Sequence, residues 1–200
     1  VREFNLIAQD SSFYGRDLND GTTLARLLKE LVKIDNVKWI RLFYLYPTYF
    51  DDELLEIITK EEKICKYVDI PLQHISDSVL GRMHRRDSSQ SIKKLLKKLR
   101  NTTPYITIRT TLMVGFPGET EADFKELLTF IKAVKFDNMG AFTYSAQDGT
   151  PAARMVDQVT EEIKENRYHE LMAAQAEISE ENNRNLIGVD TEVLVEELLD

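Results

Sequence analysis

The sequence predicts an α/β protein built on a parallel sheet. Apolar, β-branched runs alternate with amphipathic helical runs, strand onsets fall about 30–38 residues apart, and polar or conformationally special residues stand at the end of every strand-like run. That spacing leaves room for a helical crossover between parallel strands.

The first strand is expected at 3–9 (EFNLIAQ). A helix over 22–34 follows, with Leu24, Leu27, Leu28, Leu31 and Val32 at helical spacing. A β-branched and aromatic strand over 37–46 is stopped by Pro47. A helix over 51–60 opens on acids, which suit a helix start. YVDIPL (67–72) is a short strand. SIKKLLKKLR (91–100) is a helix with Ile92, Leu95, Leu96 and Leu99 on one face. YITIRTTLMV (105–114) is strand, ETEADFKELLTFIKAV (119–134) is helix with a Thr120…Asp123 capping pattern, and NMGAFTYS (138–145) is strand. A long helix covers about 160–186 and ends before Gly188. The tail DTEVLVEEL (190–198) alternates like a strand outside the series, and reads as the start of a small second β domain.

Two architectures fit five βα units: an open doubly wound sheet and a whole or partial (β/α) barrel. Thr107, Arg109 and Thr111 share one strand face by period two. An arginine inside a central parallel strand needs a polar place to point, and a barrel lumen offers one, so the barrel is favoured.

Bulk composition narrows the class. The chain has 200 residues, 42% of them hydrophobic, enough for one cored domain or one domain plus a piece of another. No run approaches the roughly 20 apolar residues of a membrane span, and VREFNLIAQD does not read as a signal peptide; a soluble cytoplasmic protein is expected. The single cysteine, Cys65, has no partner for a disulfide and is expected as a buried small hydrophobe. The net charge of −8 excludes the overall basic footprint of a nucleic-acid binder. Charge is uneven, however: 82–100 carries eight Lys/Arg and one acid, whereas 157–200 carries thirteen acids and three Lys/Arg. The basic segment is a solvated helix face or a contact for an anionic partner.

In parallel α/β folds ligands bind at the carboxyl ends of the strands. Those ends hold Gln9 and Asp10, then Tyr46 and Pro47, then Gln73 and His74, then the turn GFPGE, then Tyr144 and Ser145. Singly, each of these side chains has an ordinary structural use; five sets at one rim point to a site. In GFPGE, Gly115 and Gly118 remove Cβ atoms so that a ligand or a helix can approach the backbone, and Glu119 sits where unpaired helix N–H groups begin. Backbone donors beside a carboxylate suit a zwitterion or a hydroxyl better than a simple anion, and the spacing is neither a P-loop nor a dinucleotide fingerprint. His84 and His169 are expected at the surface.

Five stretches together, LIAQDSSFYGRDL, YVDIPLQHISDSVLGRMHRR, IRTTLMVGFPGETEADF, GAFTYSAQDGTPAA and ENRYHELMAAQAEIS, resemble the radical-SAM methylthiotransferases over almost the whole chain and in order. AQD and YG after the first strand, with Asp10, are similar to the branch that modifies a small-subunit ribosomal protein; the tRNA-modifying branch usually carries Asn there. The resemblance implies a partial radical-SAM barrel over 1–188, with five parallel strands and crossover helices, and the first strand of a TRAM-like β domain over 189–200. It implies methylthiolation of the β-carbon of an aspartate in protein twelve of the small ribosomal subunit. S-adenosylmethionine would serve as methyl donor and radical source, beside a three-cysteine [4Fe–4S] cluster and a second cluster on an N-terminal domain.

By resemblance, Gln9 and Asp10 are the catalytic candidates, near the methionine end of S-adenosylmethionine or near the substrate. Gln73, His74, Arg109, Thr111, Gly115, Pro117, Gly118, Glu119, Tyr144 and Ser145 line the cofactor, with Tyr144 and Ser145 on the adenine side. Thr111 and Met113 stand where the family often shows the first two positions of a G-x-I-x-G-x-x-x-E pattern. The cluster cysteines are not in this sequence, so the chain is expected to be a fragment that alone holds no metal and catalyses nothing. The partner implied is the ribosomal protein, with the basic segment 82–100 against an acidic loop or rRNA and no membrane contact. A tRNA adenosine methylthiotransferase of the same family and a non-catalytic ribosome-docking module are the alternatives.

Overall fold

The structure, a computed structural model, describes residues 1–103 and 105–195. Among these residues five strands form: β1 (Glu3–Leu6), β2 (Trp39–Leu42), β3 (Tyr67–Asp69), β4 (Thr107–Val114) and β5 (Asn138–Thr143). β1 pairs parallel with β2, and β4 lies between β3 and β5, parallel to both. A bridge between Ile40 and Ile64 and a hydrogen bond from Leu45 N–H to the Asp69 carbonyl (2.8 Å) join the two groups. Strand order in space is therefore chain order. A doubly wound sheet reverses its order once; a sheet that never reverses is a barrel wall, left open between β5 and β1 among the described residues.

The helices are α1 (Leu24–Leu31), α2 (Asp52–Lys60), α3 (Asp77–Arg82), α4 (Ser89–Thr102), α5 (Glu121–Val134) and α6 (Glu161–Arg184). Thr23, Asp51, Ser88, Thr120 and Thr160 cap five of them, each side chain accepting an N–H from the first turn. Along β4 burial alternates residue by residue. Ile108, Thr110, Leu112 and Val114 are buried towards the helices, while Thr107, Arg109, Thr111 and Met113 are half-buried on the concave face. The main core fills the space between: Leu28, Ile58, Leu99, Phe124, Leu127, Ile131 and Leu171 pack against Ile40, Val68, Ile108 and Leu112.

Several elements are shorter than the sequence pattern predicts. β2 ends at Leu42 because Tyr44 adopts a left-handed backbone (φ 53°). β3 ends at Asp69, ahead of Pro71, which has no N–H, and left-handed Gln73 (φ 67°). Residues 7–9 leave the sheet ahead of a 3₁₀ turn at Ser11–Phe13. α3 is absent from the sequence reading, since six residues are too few for a helical period to register. Of the tail expected as a strand over 190–198, residues 190–195 form none, and 196–200 lie outside the described residues. Cys65 is half-buried rather than buried, and its thiol is pushed up by desolvation. No helix among the described residues is long and apolar enough to cross a membrane.

Thr120 and Asp123 form a reciprocal capping box at the start of α5: Thr120 N–H donates to Asp123 Oδ2 (2.9 Å) and Asp123 N–H to Thr120 Oγ1 (3.2 Å). Thr120→Ala is expected to cost about 1 kcal/mol, read from the midpoint of denaturant unfolding.

Candidate functional site

The GFPGE turn is held from inside the protein. Gly115 (φ 74°) and Gly118 (φ 81°) occupy left-handed backbone that favours glycine. A Cβ on Gly115 would lie 2.2 Å from Lys164 Cγ of α6, and a Cβ on Gly118 2.4 Å from the Arg82 guanidinium. The close approach that the sequence predicts is thus made by the chain's own side chains. Arg82 in turn pairs with Asp157 (2.7 Å).

Glu119 is buried, and both its oxygens are engaged. Oε2 accepts the Gly115 N–H (2.7 Å), and Oε1 accepts from Arg167 Nη1 of α6 (2.8 Å). Desolvation pushes its carboxyl pKa up, opposed by Arg167 and by the Gly115 and Phe116 amides. His74 is fully buried behind it. Its Nδ1 accepts the Ser76 N–H (3.0 Å), which puts the proton on Nε2, 3.7 Å from Glu119 Oε2. Burial holds the imidazole pKa down at about 4, so the ring is neutral. Glu119 and His74 therefore stand one layer behind the turn, and they act on the rim by holding it.

On the concave face, Arg109 pairs with buried Asp69 (Nη1 to Oδ2, 3.1 Å), whose carboxyl is pushed up by desolvation against the pull of Arg109. Thr111 and Met113 follow on the same face towards the rim, so Arg109 lies in the floor, about 13 Å below Met113 at roughly 3.3 Å per strand residue. The same layer continues across the sheet through Tyr67 and Arg41, whose guanidinium lies 5.1 Å from the Tyr67 ring centre and pairs with Glu3. At the rim, Gln73 N–H donates to the Thr111 carbonyl (2.9 Å) and Met113 N–H to the Gln73 carbonyl (2.8 Å). These two bonds hold the left-handed backbone of Gln73 in place.

A cleft of about 430 Å³ opens at this rim, walled by Gln73, Met113, Phe116, Ala152 and Met155. Tyr144 packs edge-on against Phe116 (5.2 Å) behind that wall, and its buried hydroxyl has no hydrogen-bond partner among the described residues. Pro117 is buried in the turn, and Ser145 is exposed beyond β5. A second cleft, of about 570 Å³, lies at the ends of β1 and β2 and shares His84 and Arg85 with the first. Gln9 lines it, exposed. Asp10 lines it too, but its Oδ1 accepts from the Ser12 N–H (3.0 Å) and hydroxyl, which shapes the 3₁₀ turn. The rim thus collects Gln9, Asp10, Gln73 and the GFPGE backbone, while Arg109 lies below it and Glu119 and His74 behind.

Sequence reasoning missed Arg82, Lys164 and Arg167. The α6 positions 164, 167, 171, 174, 175 and 178 are its buried stripe. The first two are Lys and Arg, so hydropathy hid them; the helical spacing was the available signal.

The sequence model described as the radical SAM superfamily matches residues 5–131, and the chain belongs to that superfamily. Among curated relatives it is 52% identical over 196 residues to the ribosomal protein uS12 methylthiotransferase RimO of Geotalea uraniireducens, and 53% identical to that of Citrifermentans bemidjiense. Each alignment covers 98% of this chain and 44% of the relative, so the chain spans less than half their length. Among solved structures, coproporphyrinogen III oxidase (HemN) from Escherichia coli superposes with a TM-score of 0.70 at 17% identity, covering 89% of this chain and 41% of that one, which shows a shared fold.

The cleft beside Gln73 fits the nucleoside part of S-adenosylmethionine: its volume is that of a small-ligand site, Met113, Phe116, Ala152 and Met155 give it apolar walls, and Gln73, Arg85 and Thr150 bring polar groups to it. A [4Fe–4S] cluster does not fit the residues present. The sole cysteine precedes β3, at the opposite end of the sheet from the rim, and no group of three His, Cys, Asp or Glu among the described residues is placed to hold a metal ion.

Two outcomes follow from the turn. Gly115→Ala is expected to destabilise by about 2 kcal/mol, through left-handed strain and the clash with Lys164, measured by denaturant titration. For His74, the folded pKa lies below the unfolded 6.5, so the stability linked to its neutral ring is complete above about pH 6.5 and is lost as pH falls to about 4. The loss is roughly 3 kcal/mol. His74→Asn, whose Oδ1 can replace Nδ1 as the acceptor for Ser76, is expected to flatten the unfolding free energy against pH across that window.

Proposed function

We propose that this chain is the radical-SAM core of a larger methylthiotransferase that modifies the β-carbon of an aspartate in ribosomal protein uS12 in the cytoplasm. The observation that carries this reading is identity of 52–53% across nearly the whole chain to uS12 methylthiotransferases. Residues 1–188 form the barrel part in this reading, and 189–200 begin a TRAM-like β domain. The cluster ligands and the rest of the sulfur-transfer machinery belong to other parts of the protein.

S-adenosylmethionine, when bound, supplies the methyl group and the hydrogen-abstracting radical. The residues here bind and shield it. Gln73 offers an amide at the cleft edge, and Met113, Phe116 and Met155 exclude water from an apolar moiety. Thr111 lies towards the ribose and methionine parts, the turn residues Gly115, Pro117 and Gly118 hold Phe116 at the cleft from behind, and Tyr144 and Ser145 lie towards adenine. Arg109, paired to Asp69, sets the charge of the floor. Gln9 and Asp10, at the neighbouring cleft, face the substrate. Glu119 and His74 keep the turn that carries the cofactor edge in one conformation, so the cofactor meets a preorganised wall.

The test uses the natural full-length protein, reconstituted anaerobically and supplied with S-adenosylmethionine and either uS12 or tRNA. Gain of a methylthio group on one uS12 aspartate, detected by mass spectrometry, is the expected result; transfer to tRNA alone overturns the reading. In the same protein Gln73→Ala is expected to weaken S-adenosylmethionine binding by about tenfold, as measured by calorimetry.

A further inference from the structure

The eight Lys/Arg residues of 82–100 divide into two groups. Arg82, Lys93, Lys98 and Arg100 are paired with Asp157, Glu126, Asp52 and Asp137 on neighbouring elements. Among the described residues, Arg85, Arg86, Lys94 and Lys97 have no carboxylate partner. Lys94 and Lys97 lie on the exposed face of α4. Arg85 and Arg86 line the cleft of about 570 Å³ at the ends of β1 and β2.

Both guanidiniums are held in place by neutral groups. Arg85 lies over the Tyr46 ring (4.7 Å to its centre) and donates to the Pro71 carbonyl (3.2 Å). Arg86 Nη1 donates to the Tyr49 hydroxyl (3.3 Å), and Tyr49 is braced edge-on by Phe13 (5.3 Å). An arginine stacked on an aromatic ring keeps its planar fork oriented while its charge stays uncompensated. Such a fork matches a carboxylate or a phosphate.

The same cleft also holds two carboxylates. Asp10 is bound by Ser12, and Asp87 Oδ1 accepts from the Thr48 hydroxyl (2.7 Å). A phosphate backbone would meet both, in a chain already at −8. A peptide that presents one carboxylate among neutral or basic neighbours brings a single negative charge to the arginines, and its basic neighbours can face Asp10 and Asp87. We propose that this cleft binds a peptide segment of the substrate and receives a side-chain carboxylate on Arg85 and Arg86. Because Arg85 and His84 also wall the cofactor cleft, a residue anchored there lies next to the cofactor edge. The inference rests on the functional reading above and adds to it the surface that selects an acidic side chain.

The experiment measures binding of purified uS12 to the full-length protein by fluorescence anisotropy. Arg86→Gln is expected to weaken binding about tenfold, and Arg85→Gln/Arg86→Gln further. Lys94→Gln/Lys97→Gln should leave it unchanged. Arg86→Gln, which lies outside the cofactor cleft and is exposed, keeps its S-adenosylmethionine affinity within twofold and so reports on the peptide cleft alone. Replacing the modified uS12 aspartate by asparagine should weaken binding to the unaltered protein but cause no further loss with Arg86→Gln. Equal uS12 affinity of Arg86→Gln and the unaltered protein overturns the inference and leaves the functional reading standing. An equal, Arg86-dependent affinity for mixed-sequence single-stranded RNA also overturns it, in favour of a nucleic-acid cleft. If the unaltered protein does not bind uS12, the functional reading falls and the inference with it.

Discussion

The Glu119 carboxylate ties together three elements that are distant in sequence. One oxygen closes the turn after β4 through the Gly115 amide, the other anchors Arg167 of α6, and His74, from the end of β3, lies against the same group. A buried carboxylate is costly unless it is paired and hydrogen-bonded. Here the pairing partner comes from the last helix and the hydrogen bond from the turn itself, so the strand end, the turn and α6 are stable only together. The stem of Lys164 fills the space over Gly115 in the same way. Phe116 and Met113, which wall the cleft beside Gln73, are carried by this locked segment.

Parallel strands in chain order then bring every strand end to one rim. Two clefts with a common wall at His84 and Arg85 follow from that topology. The loop that carries this wall leaves α3, a six-residue helix tied to α5 through the Ser76 and Ser78 hydroxyls on Asp123. The capping box of α5 and the position of the shared wall therefore depend on one carboxylate, and the rim is built as a unit rather than as independent loops.

Much of this was legible in the linear order. Thr120 and Asp123 announce a helix start that the structure shows, and the five βα units appear in the expected sequence, because capping and periodicity are local properties of a few consecutive residues. Strand lengths were less legible: Tyr44 and Gln73 adopt left-handed backbone that nothing in their residue type demands, and tertiary hydrogen bonds impose it at Gln73. The basic segment 82–100 read as one uniform stretch, yet half of it is spent on ion pairs whose acids lie on α2, on α5, ahead of β5 and ahead of α6.

The sequence by itself determined the βα alternation, the helix caps, the glycines of the turn and the residues gathered at the strand ends, since each depends on short-range spacing and side-chain type. The tertiary structure decided between an open sheet and a barrel wall, because strand order is a matter of which distant edges pair. It also decided what approaches Gly115 and Gly118. The glycines state that a Cβ cannot be there; only the packing of α6 and the Arg82–Asp157 pair shows that the chain's own side chains occupy the space. Glu119, which the pattern placed facing a ligand, instead faces Arg167, because a carboxylate closed into the protein there needs a cation that only the last helix brings.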